Sequence, residues 1–181
     1  MNYLKNTILV SLILISISCK RDKDDPTDPI DINEEEVITS VVLHFKDTDN
    51  GNQFSVEWKD LDGPGGNAPV IDPIILDTNS IYEVSLQFLD ESKNPITDIT
   101  EEIKKENTEH LVCFEATNSL VAIQRTDSDG QFEIGLSSKW TSEKSGNGSV
   151  NIYLKHQPDV KDGTCTPGET DVEVAFLLIV E

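Results

Sequence analysis

The chain has 181 residues, of which 34 are Asp or Glu and 14 are Lys or Arg, so its formal net charge at pH 7 is −20. Such an acidic chain is not expected to bind nucleic acid, because phosphate contacts depend on clustered Lys and Arg. Hydrophobic residues at 36% and charged residues at 27% indicate one folded domain that carries a polar segment.

The N-terminus has the pattern of a secretory signal. One cation, Lys5, precedes an apolar run over residues 7–17, which is shorter than the roughly 20 residues of a membrane-spanning helix. The run ends in Ser16-Ile-Ser-Cys19, which resembles the processing site of bacterial lipoproteins, with Ser16 where Leu, Val or Ile is usual. The resemblance implies a signal peptide over residues 1–18 and a mature chain that begins with lipidated Cys19.

The residues after the signal predict a surface-exposed tether. Acyl chains on Cys19, palmitate among them, would bury several tens of methylenes at about 0.8 kcal/mol each, enough for stable membrane attachment. The sequence Lys20-Arg-Asp-Lys-Asp-Asp25 resembles the acidic export signal of Bacteroidetes-type lipoproteins, which implies the cell-surface face of the outer membrane. Residues 19–36 are almost devoid of apolar side chains and predict an acidic, disordered tether.

Residues 37–181 are predicted to form a single domain, because apolar and polar residues alternate along most of it. The alternation predicts nine strands, over residues 37–45, 54–58, 70–76, 82–88, 112–116, 120–126, 132–136, 150–154 and 172–180. Turn sequences at Asp49–Asn52 and Asp127–Gly130 predict hairpins, and residues 98–107 predict one short helix. This pattern indicates an all-β fold, an antiparallel β-sandwich, immunoglobulin-like or related, of about 8–9 strands.

Four segments of this domain carry a further resemblance: Asp60–Pro69, Thr100–His110, Leu154–Pro158 and Gly168–Val174. Together they resemble a family of small Bacteroidetes lipoproteins, and the resemblance spans most of residues 37–181. Automated naming often labels this family a type 1 periplasmic binding fold, but that fold needs alternating strands and helices over a longer chain. The family has no established activity. Its members often carry His-rich or acidic tethers, which hints at metal handling, and the tether here has acids without histidine.

A histidine–carboxylate set is predicted at one end of the sandwich. His110 and His156 share the parity of the inward apolar residues of their strands. If those strands are antiparallel, both histidines reach one end, where Glu169 and Asp171 also arrive. Such a set suits zinc or a similar divalent ion, and the alternative is two core-capping histidines bonded to carboxylate or backbone groups. His44 lies on a polar face and is predicted to be solvated.

Three Asp-x-Asp turns offer oxygen ligands that suit calcium. The alternative is turn chemistry alone, because Asp, Asn and Gly are the residues that hairpin turns use. The loop Asp60–Pro69 is the least ordinary, since its Gly-Pro-Gly-Gly run permits unusual backbone conformations. Asp60, Asp62 and Asn67 are its candidate calcium or ligand groups.

Cys113 and Cys165 remain once Cys19 is lipidated, and an oxidising compartment leaves either a disulfide or two free thiols open. A bridge would close a loop of about 50 residues. Cys113 is opposite in parity to Phe114, so it is predicted to point away from the main core.

No nucleophile elbow, zinc-protease, phosphate-loop or Cys-x-x-Cys motif is present, so the protein is predicted not to be an enzyme. The favoured function is a non-catalytic outer-membrane lipoprotein, an accessory module that binds a ligand or a partner protein, with an outer-membrane transporter as a candidate partner. No cofactor is expected apart from a divalent ion. The alternatives are a divalent-metal-binding lipoprotein and a glycan-binding module, for which Trp140 and Tyr153 are the candidate aromatic platforms.

Overall fold

The computed structural model describes residues 37–181, which form eleven strands and one short helix. The predicted signal peptide, Cys19 and the tether lie outside the described residues. None of the helical segments in the described range has the length and hydropathy needed to cross a bilayer. The elements are β1 (Ser40–Asp47), β2 (Gln53–Lys59), β3 (Val70–Ile71), β4 (Ile74–Leu76), β5 (Ile81–Asp90), β6 (Thr97–Asp98), α1 (Thr100–Lys105), β7 (His110–Ala116), β8 (Val121–Arg125), β9 (Ser137–Ser142), β10 (Gly146–His156) and β11 (Glu169–Val180).

Two sheets make up the sandwich. The seven-stranded sheet has the order β3-β2-β1-β5-β9-β8, with β6 paired to β5, and the four-stranded sheet has the order β4-β11-β10-β7. The pairs are antiparallel except for β4, which runs parallel to β11. The predicted all-β antiparallel sandwich with one short helix is therefore confirmed.

The core is filled by alternate residues of the long strands from both sheets. On β1, Val41, Leu43 and Phe45 are buried, while the residues between them face outward, because successive side chains of a strand point to opposite faces. Trp140 of β9 is fully buried and makes edge contacts with Phe45 at 5.3 Å and with Phe114 at 6.0 Å. Trp140 is therefore a core residue, and its prediction as a ligand platform is wrong.

The predicted strand over residues 70–76 is two strands, one in each sheet. β3 pairs with β2, whereas β4 pairs with β11. Pro73 lies between them and has no backbone N–H for a ladder, so the chain changes sheets at that point.

The predicted hairpin across Asp127–Gly130 is wrong, because β8 pairs instead with β9. The alternation missed β9, since most of its residues are Ser, Thr or Lys. The predicted strand over residues 132–136 is a connecting segment between the sheets. The Ile134 carbonyl accepts a hydrogen bond from Val112 N–H at 2.7 Å, and the Leu136 carbonyl accepts one from Leu86 N–H at 2.9 Å. This segment covers the edge strand β7, which would otherwise expose unpaired backbone groups.

Candidate functional sites

The outward side chains of the seven-stranded sheet form rows that run across the strands. One row of long side chains crosses five strands and consists of Gln53, Lys46, Glu83, Lys139 and Gln124. The next row crosses four strands and consists of Ser55, His44, Ser85 and Ser137. The row beyond it consists of Glu57, Val42 and Gln87. Because three of its four residues are serines, the middle row lies lower than its neighbours.

We call this depression the serine trough and define it by the middle row. A cavity of about 570 Å³ lies between this row and the row of long side chains. A second cavity of about 310 Å³ lies on the other side, towards Gln87 and Asp98. His44, Ser85 and Ser137 line both cavities, so the two form one depression. Its floor spans three inter-strand spacings, or about 14 Å.

The polar groups of the serine trough differ in whether the fold already uses them. His44 Nδ1 lies 2.8 Å from Ser55 Oγ and its Nε2 lies 3.4 Å from Gln87 Oε1, which orients the ring. Within residues 37–181, by contrast, the hydroxyls of Ser85 and Ser137 have no hydrogen-bond partner. These two hydroxyls are therefore open to water or to a ligand, whereas His44 shapes the floor.

The bordering row carries charges of alternating sign. Lys46 Nζ forms an exposed ion pair with Glu83 Oε2 at 2.9 Å. Lys139 lies directly across from Glu83 on the next strand and forms no ion pair within the described range. The order cation, carboxylate, cation leaves this wall close to neutral although the domain as a whole is strongly acidic.

The predicted histidine pair lies at one end of the four-stranded sheet. His110 of β7 and His156 of β10 are directly opposite in register, and their ring centroids are 4.9 Å apart with the planes inclined by 23°. His110 Nδ1 lies 3.1 Å from the Glu106 carbonyl oxygen, so it is the donor of that hydrogen bond. Its Nε2 is 4.0 Å from Asp171 Oδ2, and His156 Nε2 is 3.5 Å from Glu109 Oε2.

Burial shifts the titration of His110. His110 is 1% exposed, and loss of hydration lowers its pKa below the ordinary 6.5 because the charged ring is poorly solvated. The bond to the Glu106 carbonyl and the charge of Glu109 oppose this lowering of the pKa, while His156 and Lys161 add to it. The net effect favours a neutral His110.

A β-bulge directs Asp171 towards the histidines. Leu154 of β10 pairs with Val172, but the next residue, Lys155, pairs with Thr170. Asp171 is therefore the extra residue on β11, and a bulge of this kind re-aims a side chain. The Asp171 side chain is 8% exposed and faces His110. Sequence alternation has no signal for such a one-residue shift.

Glu109 provides a carboxylate close to His156, and the sequence did not indicate it because Glu109 precedes the strand. Glu169 lies opposite His156 in register and is exposed. Among the described residues, no group of three or more His, Cys, Asp or Glu side chains is arranged to hold a metal ion. The structure thus brings together His110, His156 and Asp171 of the predicted set, and metal binding stays a prediction.

The Asp60–Pro69 loop is held by its own polar groups. Gly63 N–H donates to Asp60 Oδ1 at 2.9 Å, and both the backbone N–H and the side-chain amide of Asn67 donate to Asp62 Oδ2, at 3.0 and 2.6 Å. These bonds from Asn67 lower the pKa of Asp62. The three candidate calcium groups therefore make turn contacts here, and calcium binding stays a prediction.

Cys113 and Cys165 form a disulfide, with a Cα–Cα distance of 6.1 Å and a sequence separation of 52. Cys113 is buried but does not belong to the main core cluster, because it lies on the other face of β7. The bridge therefore fastens the 157–168 loop over that face.

A buried ion pair joins the same loop to the 126–136 segment. Lys161 Nζ lies 2.7 Å from Asp129 Oδ2, and both side chains are only 3% exposed. Burial raises the pKa of Asp129, but bonds from Lys161 and from the backbone N–H groups of Phe132 and Gln131 prevail and lower it to about 2. No sequence motif indicated this pair, because the two residues are 32 positions apart.

Comparison with protein-family models, with curated proteins and with solved structures finds no match to this chain.

Proposed function

We propose that this protein is a non-catalytic, lipid-anchored binding module of the outer membrane, and that its ligand occupies the serine trough. The observation that carries the proposal is the trough itself, a depression across four strands in which Ser85 and Ser137 present hydroxyls that form no hydrogen bond with any of residues 37–181. Each of the four strands beneath it is paired with a neighbour on both sides, and a site built on regular strands holds its polar groups in place before the ligand arrives.

The membrane part of the proposal is supported by Ser16–Cys19 and by the acidic residues that follow. A lipid on Cys19 and a polar tether would present the domain at the membrane surface as an accessory to an outer-membrane protein such as a transporter. Mass spectrometry of the mature N-terminal peptide tests the lipid, which should appear as acyl and diacylglycerol mass on Cys19. Protease treatment of intact cells tests which face of the outer membrane the domain occupies, since a surface domain is removed and a periplasmic domain is protected.

The binding part is tested by NMR titration of the full-length protein in a detergent without a sugar headgroup. The probes are a neutral oligosaccharide, an oligogalacturonate and an extended hydrophilic peptide. We expect at least one probe to shift the backbone amide resonances around Ser85 and Ser137. Ser85→Tyr should abolish the shifts, because a large side chain fills the low floor.

Ala175→Tyr is the matched control, since Ala175 is an exposed outward position on β11 of the other sheet. It should bind as the wild type does. Absence of trough shifts with all three probes, or shifts that persist in Ser85→Tyr, would refute the proposed binding site.

A divalent-metal-binding lipoprotein is the second candidate, favoured by the 4.9 Å separation of the His110 and His156 rings. Imidazole nitrogens are common zinc ligands, and Asp171 or Glu169 would add carboxylate oxygen. Titration calorimetry of the wild type with zinc, copper and calcium tests this function. Binding heat that disappears in His110→Gln would support metal binding at this site. Absence of heat with all three ions would refute the metal-binding function.

A further inference from the structure

The chemistry and direction of the serine trough also indicate what kind of ligand fits it. We propose that the ligand is a neutral oligosaccharide that lies across the strands of the seven-stranded sheet. This inference rests on the proposed function, because it presumes that the serine trough is the binding site.

The hydrogen-bonding groups of the trough match those of a sugar. Ser85 and Ser137 hydroxyls each donate one hydrogen bond and accept others. The amide of Gln53, which lines the larger cavity, also both donates and accepts. Sugar hydroxyls have the same dual character, so each can be matched without burying an unpaired donor or acceptor.

A peptide strand is a poorer fit to the same surface. Extended peptides bind sheets by adding a strand to an open edge, where backbone N–H and C=O groups are unpaired. The serine trough crosses β2, β1, β5 and β9, whose facing backbone groups are already paired in ladders. Only side chains are available there, so the main-chain bonds that give peptides their affinity cannot form.

The negative charge of the domain argues against a polyanionic ligand. Residues 37–181 contain 26 acidic residues and ten Lys or Arg, so a polyanionic chain would be repelled as it approached. The bordering row offers no block of positive charge, because Glu83 lies between Lys46 and Lys139. A neutral oligosaccharide is not repelled by the acidic domain, and its binding does not require clustered cations.

The dimensions of the serine trough and the burial of Phe45 set the expected affinity for an oligosaccharide. A floor of about 14 Å accommodates an oligosaccharide of a few units but not a long polymer within it. The aromatic ring among the described lining residues is Phe45, which is 1% exposed and offers no stacking surface. Binding by a few hydrogen bonds alone gives a dissociation constant on the order of 1 mM.

The test is an NMR titration of the full-length protein with neutral oligosaccharides of one to six units, beside oligogalacturonate and a hydrophilic peptide. We expect trough resonances to shift with at least one neutral series, with affinity rising about tenfold from the monosaccharide to the length that fills the floor and then levelling off. Ser85→Tyr and Ser137→Tyr should each lower the affinity at least tenfold, while Ala175→Tyr keeps it. Retained dispersion of the amide spectrum shows that each variant is folded.

Trough shifts with oligogalacturonate or peptide alone would overturn the neutral-sugar inference and leave the proposed function standing. Neutral-sugar shifts that map away from Ser85 and Ser137, or affinity that does not depend on chain length, would also overturn the inference. Absence of trough shifts with every probe would overturn the inference and the proposed function together.

Discussion

His110 and His156 face each other across two antiparallel strands with their ring centroids 4.9 Å apart, and each ring also has a carboxylate within 4.0 Å. Burial lowers the pKa of His110 in the folded chain below its unfolded value, and neighbouring His156 and Lys161 act in the same direction. The unfolded state therefore binds more protons than the folded state as the pH falls through 6.5. We expect the free energy of unfolding to fall between pH 8 and pH 5.5, measured by urea denaturation in the presence of a chelator.

His110→Gln should flatten this pH dependence even if it lowers stability overall. His44→Gln is the matched control, because His44 is exposed on the trough floor. It should keep the wild-type slope. If the free energy of unfolding changes with pH equally in the wild type and in His110→Gln, the buried His110 ring is not the source of the pH dependence.

The Lys161–Asp129 ion pair should be important for stability because both side chains are buried. Lys161→Met leaves the Asp129 carboxylate in the interior without its cation, and we expect a loss of about 3–5 kcal/mol in the free energy of unfolding. Lys46→Met is the control: the Lys46–Glu83 pair is exposed, and its loss should cost less than about 1 kcal/mol. Similar losses in the two variants would contradict the burial argument.

The lowered pKa of Asp129 also predicts how the free energy of unfolding changes in acid. Its folded pKa of about 2 lies below the ordinary 3.8, so its contribution to stability is present above pH 4 and is lost as the pH falls towards 2. Asp129→Asn should reduce the loss of stability in this window, measured by chemical denaturation between pH 5 and pH 2. An unchanged acid profile in the variant would assign the loss to other carboxylates.

The disulfide should stabilise the domain by restricting the unfolded chain. Because Cys113 and Cys165 are separated by 52 positions in sequence, replacement of both by alanine should lower the free energy of unfolding by about 4 kcal/mol. Thiol titration of the denatured, unreduced protein should find no reaction from these two residues. Two reactive thiols before reduction would contradict the bridge.

Gly168 is predicted to be far less replaceable than Gly51, although the two share a left-handed backbone, with φ values of +79° and +76°. A Cβ at Gly51 would meet nothing within 4 Å, so Gly51→Ala should cost only the conformational penalty of about 1–2 kcal/mol. A Cβ at Gly168 would collide with the His156 carbonyl group, which adds about 1–3 kcal/mol. Thermal unfolding of Gly51→Ala and Gly168→Ala measures the difference in stability. Equal losses of stability in the two variants would contradict a collision at Gly168.

The alternation of apolar residues was sufficient for most strands because each has one buried face. Val41, Leu43 and Phe45 predicted β1, and Asp49–Asn52 predicted the turn into β2. The same rule failed at β9, since Ser138 and Ser142 are small polar residues at inward positions and Trp140 is the one large apolar residue there. Sequence periodicity reports burial only where large apolar side chains mark it.

The candidate site was only partly visible in the sequence. Alternation already placed His44 outside the core, but the trough depends on which residues stand opposite one another on four strands, and Ser137 belongs to the strand that was missed. The histidine pair was predicted from strand parity, whereas Asp171 joins it through a bulge and Glu109 from outside the strand.

By itself the sequence determined the class of fold, because the period of two and the turn residues are local properties of the chain. It also supplied the expectation of a lipid on Cys19, which depends on a short contiguous motif. Tertiary structure alone decided the register between strands, whether Cys113 and Cys165 are bridged, the Lys161–Asp129 pair and the serine trough. Each of these joins residues distant in sequence, and their proximity is fixed by packing and hydrogen bonding across the sheets, for which a linear pattern carries no signal.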